Sequence, residues 1–142
     1  MIDANDPPSW IRLAQDMPLT ILTEVTSLYS NRGINDRTET LIAAGTSAFG
    51  PESDPLMGWG VVDPQMPPFD QGWYVQRAGR ESAVLTYGGI DDPGALQCGQ
   101  RVKIHPHDAT KASERFGWYF VVDSSRIDHG DEVVDIFVRW RD

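Results

Sequence analysis

In the second half of the chain, short runs of alternating apolar and polar residues are separated by Pro and Gly. Arg101-Val102-Lys103-Ile104-His105 repeats with period two, which in an extended strand sends its apolar side chains to one face. Trp118, Phe120 and Val122 share a face of the next strand, and Val134, Ile136, Val138 and Trp140 share a face of the last. Between these two, Asp128-His129-Gly130-Asp131 predicts a turn that makes them antiparallel neighbours. Trp73-Tyr74-Val75-Gln76-Arg77 and Ser82-Ala83-Val84-Leu85-Thr86-Tyr87 predict a second hairpin across Ala78-Gly79-Arg80.

The first half is less regular. Leu19 to Tyr29 is rich in β-branched residues and too polar for a buried helix, so it reads as a strand. Glu39 to Ala44 fits helix or strand by propensity, but Gly45-Thr46-Ser47 would stop a helix early, which favours a strand. Two proline-rich loops, at 50–55 and 63–68, bracket Gly58-Trp59-Gly60-Val61-Val62. Residues 1–18 read as an N-terminal arm. Asp6-Pro7-Pro8-Ser9 opens a short helix through Trp10, Ile11, Leu13 and Ala14, and Pro18 closes it. The expected fold is therefore mainly β, a single antiparallel curled sheet or partly closed β-barrel over 19–142 with one or two short helices.

Composition narrows the function classes. A chain of 142 residues with 40% hydrophobic and 23% charged residues has the length and balance of one globular domain. A net charge of −9 argues against binding nucleic acid, whose phosphates repel an acidic surface. No apolar run approaches a bilayer span, and no secretory pattern opens the chain, so no membrane association is expected. Cys98 is the single cysteine, which excludes an internal disulfide and points to a cytoplasmic setting. It is expected to be a small buried hydrophobe rather than a nucleophile.

Other groupings read as structural. Ser124-Ser125 with His129 and Asp131 is a polar hairpin end rather than a hydrolase triad, and Asp91-Asp92 faces water. Trp59, Trp73, Tyr74, Trp118, Tyr119 and Trp140 are mostly expected in core and strand-pair packing. Lys103 and Lys111, the two lysines, read as solvated groups on a strand edge and a turn.

One stretch carries a pattern of its own. Gly99-Gln100-Arg101-Val102-Lys103-Ile104 leads to Pro106-His107-Asp108-Ala109-Thr110, and then to a strand from Phe116 that ends Val121-Val122-Asp123. With Glu24-Val25-Thr26-Ser27, Ile42-Ala43-Ala44-Gly45-Thr46-Ser47-Ala48, Gly58-Trp59-Gly60-Val61-Val62 and Val138-Arg139-Trp140-Arg141, it resembles the C-terminal domain of the D-serine dehydratase and D-threonine aldolase family. The resemblance covers about Leu19 to Arg141. It implies a β-domain that closes over an alanine-racemase-like barrel, where a lysine holds pyridoxal phosphate. The β-domain then supplies the protein ligands of a divalent metal, zinc or manganese.

The departures from that pattern are specific. Asp108 stands where the family has a metal-binding His, and Thr110 where it has Cys or Asp. His107 or His105 could join Asp108 in a substitute set, and the candidate metal residues are Asp108, Thr110 and His107. Leu85-Thr86-Tyr87-Gly88-Gly89 lacks the acid and the histidine of the family's Glu-His-Gly. No catalytic or pyridoxal-binding residue is assigned on this chain. The resemblance implies a domain inactive alone that pairs with an alanine-racemase-like barrel or with its own copy, or else a non-catalytic binding or scaffold domain. In each case its barrel-facing surface is expected to be open and unusually apolar.

Overall fold

A computed structural model describes residues 19–63, 72–89, 96–123 and 132–139. Six strands close into a barrel: β1 (Ile21–Tyr29), β2 (Glu39–Ile42), β3 (Gly60–Val62), β4 (Trp73–Ala78), β5 (Ala83–Tyr87) and β6 (Arg101–Pro106). Their order around the barrel is β1-β2-β5-β4-β3-β6, with antiparallel neighbours throughout. Beside it, β7 (Trp118–Val122) and β8 (Val133–Val138) form a two-stranded antiparallel ribbon. The helices are α1 (Thr46–Phe49) and α2 (Ala109–Ser113), with a 3₁₀ turn at Ile34–Asp36.

Closure rests on β1, which is shared between two neighbours. Ile21 to Glu24 pair with Arg101 to Ile104 of β6, and Val25 to Tyr29 pair with Glu39 to Ile42 of β2. The register slips between Val25 and Ser27, which makes Thr26 the extra residue of a β-bulge. A bulge bends its strand and increases its twist, and that turns β1 from one side of the barrel toward the other. Val25 sits at the crossover, with its N–H donating to Gln100 O (2.9 Å) and its carbonyl accepting from Gly99 N (2.7 Å). A second bulge, at Gln76 in β4, bends the opposite wall.

The interior follows from strand alternation. Ile21, Val25, Ile42, Val62, Val75, Leu85, Val102 and Ile104 are buried in one cluster with Phe49 of α1 and Ala112 of α2. A small barrel is filled by such side chains and keeps no lumen. α1 docks on the β4–β5 turn, where Thr46 N donates to Gly79 O (2.8 Å) and Ser47 N to Arg80 O (3.0 Å). Those bonds satisfy first-turn donors that have no partner inside the helix.

The expected strands lie close to where periodicity put them, and the fold is mainly β as predicted. The closure is complete, and the last hairpin stands apart from the barrel sheet. Several expectations fall outside the described residues: the helix within 1–18, the turn at Asp128 to Asp131, the polar hairpin end at Ser124-Ser125, the acidic pair Asp91-Asp92, and the packing of Trp140. Cys98 corrects the sequence reading, because it is exposed. It lies in the turn before β6, where Gly99 takes φ +85 and Gln100 Oε1 accepts from Gln97 N, so its side chain leaves the barrel wall. Trp118 is exposed but sits in a strand pair, opposite Val138 and edge-to-face with Phe120 at 4.7 Å, while Trp73 is buried in the core, both as expected.

Gly58 is the tightest backbone approach. It takes φ +58, and a Cβ there would lie 1.8 Å from Val75 O. Gly58→Ala should therefore lower unfolding stability by roughly 2–4 kcal/mol. Gly117→Ala, at a position with open space, should stay within about 0.5 kcal/mol. Urea denaturation midpoints of the two variants check both expectations.

Candidate functional site

β6 runs into α2 through His107 and Asp108, and this turn carries the residues singled out from the sequence. Pro106 does not break the strand early. It pairs with Gly60, and the ladder continues one residue further through His107 N, which donates to Trp59 O (2.9 Å). Asp108 then takes the extended conformation of a helix N-cap, and its Oδ1 accepts from Lys111 N at 3.0 Å. An aspartate at this position satisfies a backbone donor that the helix itself cannot.

The candidate metal residues thus sit side by side along the chain but do not converge as a donor set. One Asp108 oxygen serves the cap. Thr110 is exposed on α2 and offers a neutral hydroxyl. His107 is half-buried, and the acid whose charge it meets is Asp54, from the loop between α1 and β3. Zinc sites take three or four ligands from His, Cys and carboxylates. Among the described residues no group of three or more such side chains could hold a metal ion. As it stands, the donor chemistry of this turn does not fit zinc.

His105 is buried in the barrel wall. It pairs in register with Val61, and its Nε2 lies 3.9 Å from the Asp63 carboxylate. Its Nδ1 is a buried polar atom without a hydrogen-bond partner among the described residues, as is Trp59 Nε1 on the adjoining segment.

Sequence reasoning missed the loop over this turn. Asp54 Oδ1 accepts from Leu56 N (2.8 Å) and Met57 N (3.0 Å), while Asp54 and Gly58 exchange backbone bonds of 2.7 and 2.9 Å. The backbone donors of Leu56 and Met57, with a smaller contribution from His107, hold the Asp54 carboxyl below its ordinary range. The hold this gives the loop is present above the ordinary carboxylate pKa and is lost as pH falls through the lowered one. Asp54-Pro55 was a usable signal, because Asp before Pro favours such a turn. Lys111 ties the same loop to α2 through Glu52 (2.5 Å), and that hydrogen bond raises the lysine's pKa. Its contribution is present below the ordinary lysine value and is lost as pH rises through the raised one.

The second departure is also built in. Tyr87 packs on Trp73 (5.6 Å between ring centroids), and its ring lies over Gly89, where a Cβ would come within 2.3 Å of it. The Arg37 guanidinium lies over the Tyr87 ring, 5.5 Å from its centroid, and donates to Gly89 O at 3.1 Å. Leu56, Met57, Val61, Trp73, Tyr74 and Tyr87 line a hollow of about 350 Å³ here, open and mostly apolar. It can accept an apolar group but presents no convergent acid or base.

Among the described residues no helix is long and apolar enough to cross a membrane. Residues 18–122 match the family model described as "Putative serine dehydratase domain". The fold is similar to D-threo-3-hydroxyaspartate dehydratase from Delftia sp. HT23, with TM-score 0.66 and 20% identity over 91% of this chain. It is also similar to an alanine-racemase-like protein from Idiomarina loihiensis, with TM-score 0.63 and 18% identity over 84% of this chain. The matched region spans 34% of the dehydratase and 31% of the racemase-like protein. A search of curated proteins finds no match. At these identities the structural likeness speaks for the fold alone.

Asp108→Ala should lower stability by about 1 kcal/mol through loss of the cap, whereas Asp108→Asn or Asp108→Ser should retain most of it. Thermal and urea unfolding of the three variants measure this.

Proposed function

The chain belongs to the serine dehydratase domain family, and from that premise we propose that it is the β-domain of a pyridoxal-phosphate-dependent D-amino-acid lyase or aldolase, competent only when joined to an alanine-racemase-like barrel. The observation that carries this reading is coverage. A family match over 18–122 accompanies a fold that spans about a third of a solved dehydratase. The substrate class would be D-amino acids with a β-hydroxyl, as the name of that dehydratase suggests. The unpaired, exposed thiol of Cys98 suits a reducing, cytoplasmic compartment.

Pyridoxal phosphate, when bound, stabilises a carbanion at the substrate's α-carbon. This chain's residues would contribute shape around it rather than hold it. Lys111 is engaged with Glu52, and Lys103 is a half-buried residue of the barrel wall. The Pro106 to Thr110 turn would be presented to the barrel, with Asp108 kept in place by its cap. A metal would need donors from the partner, since Asp108, Thr110 and His107 do not make a set by themselves.

A second reading is favoured by one observation: both places where the chain departs from its family are filled by structural contacts. Asp108 caps a helix, and the Tyr87 ring fills the space beside Gly89 and meets Arg37. A non-catalytic binding or scaffold domain could keep the fold in this way after losing the chemistry.

The isolated chain is expected to release no keto acid from D-serine or D-threo-3-hydroxyaspartate in the presence of pyridoxal phosphate and zinc. Borohydride should trap no stoichiometric adduct at Lys103 or Lys111, as read by mass spectrometry. In calorimetric titrations, zinc and manganese should bind more weakly than micromolar. Micromolar binding abolished by Asp108→Ala would overturn the expectation of weak metal binding and favour the lyase half over the scaffold, and a specific lysine adduct would overturn the view that this chain holds no pyridoxal group. Gain of activity on adding an alanine-racemase-like barrel separates the lyase half from the scaffold.

A further inference from the structure

The Pro106 to Thr110 turn has little of its own to hold it in place. α2 follows at once, and a helix of five residues is too short to be stable through its internal hydrogen bonds. On the N-terminal side Asp108 accepts from Lys111 N through its side chain and from Ala112 N (2.9 Å) through its carbonyl. Ala112 is fully buried, but Thr110 is exposed, and Lys111 and Ser113 are half-buried. One small buried side chain seats such a helix without fixing its rotation on the barrel.

The remaining constraint comes from the β7–β8 ribbon. Ser113 O, at the C-terminal end of α2, is a carbonyl for which the helix supplies no donor. Among the described residues, Phe116 N (3.4 Å), the Tyr119 hydroxyl and Arg139 Nη1 (3.1 Å) all donate to it. Tyr119 lies within β7, and Arg139 follows β8 directly, so both ribbon strands reach the same atom. A guanidinium beside a last-turn carbonyl also suits the partial negative charge there. The donors are themselves held by strand pairing. Tyr119 opposes Phe137, with ring centroids 6.1 Å apart, and Arg139 N donates to Gly117 O at 2.9 Å.

We infer that the ribbon braces the Pro106 to Thr110 turn in a single conformation, with Tyr119 and Arg139 as its positioning residues. They act on the turn through α2. The bonds at Ser113 O fix where the helix ends, and buried Ala112 fixes where it rests. Asp108 is then left with the orientation in which its Oδ1 meets Lys111 N. Coupling of this kind is reciprocal, so order in the turn also steadies the base of the ribbon. The inference rests on these contacts and does not depend on a pyridoxal-bearing partner.

Residue-resolved amide hydrogen exchange of the full chain tests it. Tyr119→Phe removes only the hydroxyl and keeps the ring against Phe137, while Arg139→Met removes every donor of that side chain. Exchange at Lys111 N and Ala112 N is expected to rise about fivefold in the first and about tenfold or more in the second, the worth of one neutral or one charged hydrogen bond. Val25 N and Trp59 N donate to Gln100 O and Val75 O within the barrel, and they should change by less than about twofold. A general loss of stability would instead accelerate all of these amides alike. Arg139→Lys, which keeps a cationic donor, should recover part of the protection. In the reverse direction, Asp108→Ala should speed exchange at Arg139 N several-fold. If far-UV circular dichroism shows Arg139→Met to be unfolded, Tyr119→Phe decides the matter by itself. Unchanged exchange at Lys111 and Ala112 in Tyr119→Phe overturns the inference. So does an increase there no larger than that of the barrel amides.

Discussion

The barrel depends on one strand serving two neighbours. β1 leaves β6 and joins β2 within nine residues, and Thr26 is the extra residue that allows it. Without that bulge, a straight β1 would continue along β6 and leave β2 an open edge. With it, the ring is complete, no barrel strand keeps a row of unpaired backbone groups, and the interior shrinks to a space that aliphatic side chains fill. The other features are placed relative to this ring. The β4–β5 turn receives α1, the end of β6 sets the direction of α2, and the loop before β3 is pressed against β4 at Gly58.

Much of this was legible in the sequence because it is local. Period-two alternation located β6, β7 and β8, and the Ala78-Gly79-Arg80 break located the β4–β5 hairpin. Ring closure was not legible, since it depends on which distant strands pair, and a bulge at Thr26 leaves no compositional mark. The ribbon marks a different limit. Alternation told that Trp118, Phe120 and Val122 share a face, but not that the face lacks a core to meet. Cys98 was misjudged for a related reason: residue type predicts burial on average, whereas the turn that Gly99 permits decides it here.

The candidate site shows how substitution and structure fit together. The residues that the family resemblance singles out as candidate metal ligands were identifiable from their order along the chain, but the contacts they make were not. Asp108 became a helix cap because α2 begins at the next residue, and a carboxylate there has a backbone donor within reach. Asp54 went unnoticed because its importance comes from a loop that folds back toward His107 from about fifty positions away. A local motif can name candidate ligands, yet the elements that supply or withhold the remaining donors are long-range.

α2 is only five residues long and is fastened at both ends. Asp108 holds its first turn, while its last carbonyl, Ser113 O, receives both Tyr119 and Arg139 from the ribbon. A helix so short has no spare turns in which to absorb a displacement. Any shift of the ribbon relative to the barrel must break both bonds at Ser113 or swing the helix about its buried Ala112. The ribbon and the Pro106 to Thr110 turn are thus joined as the two arms of one lever, with its fulcrum in the barrel core.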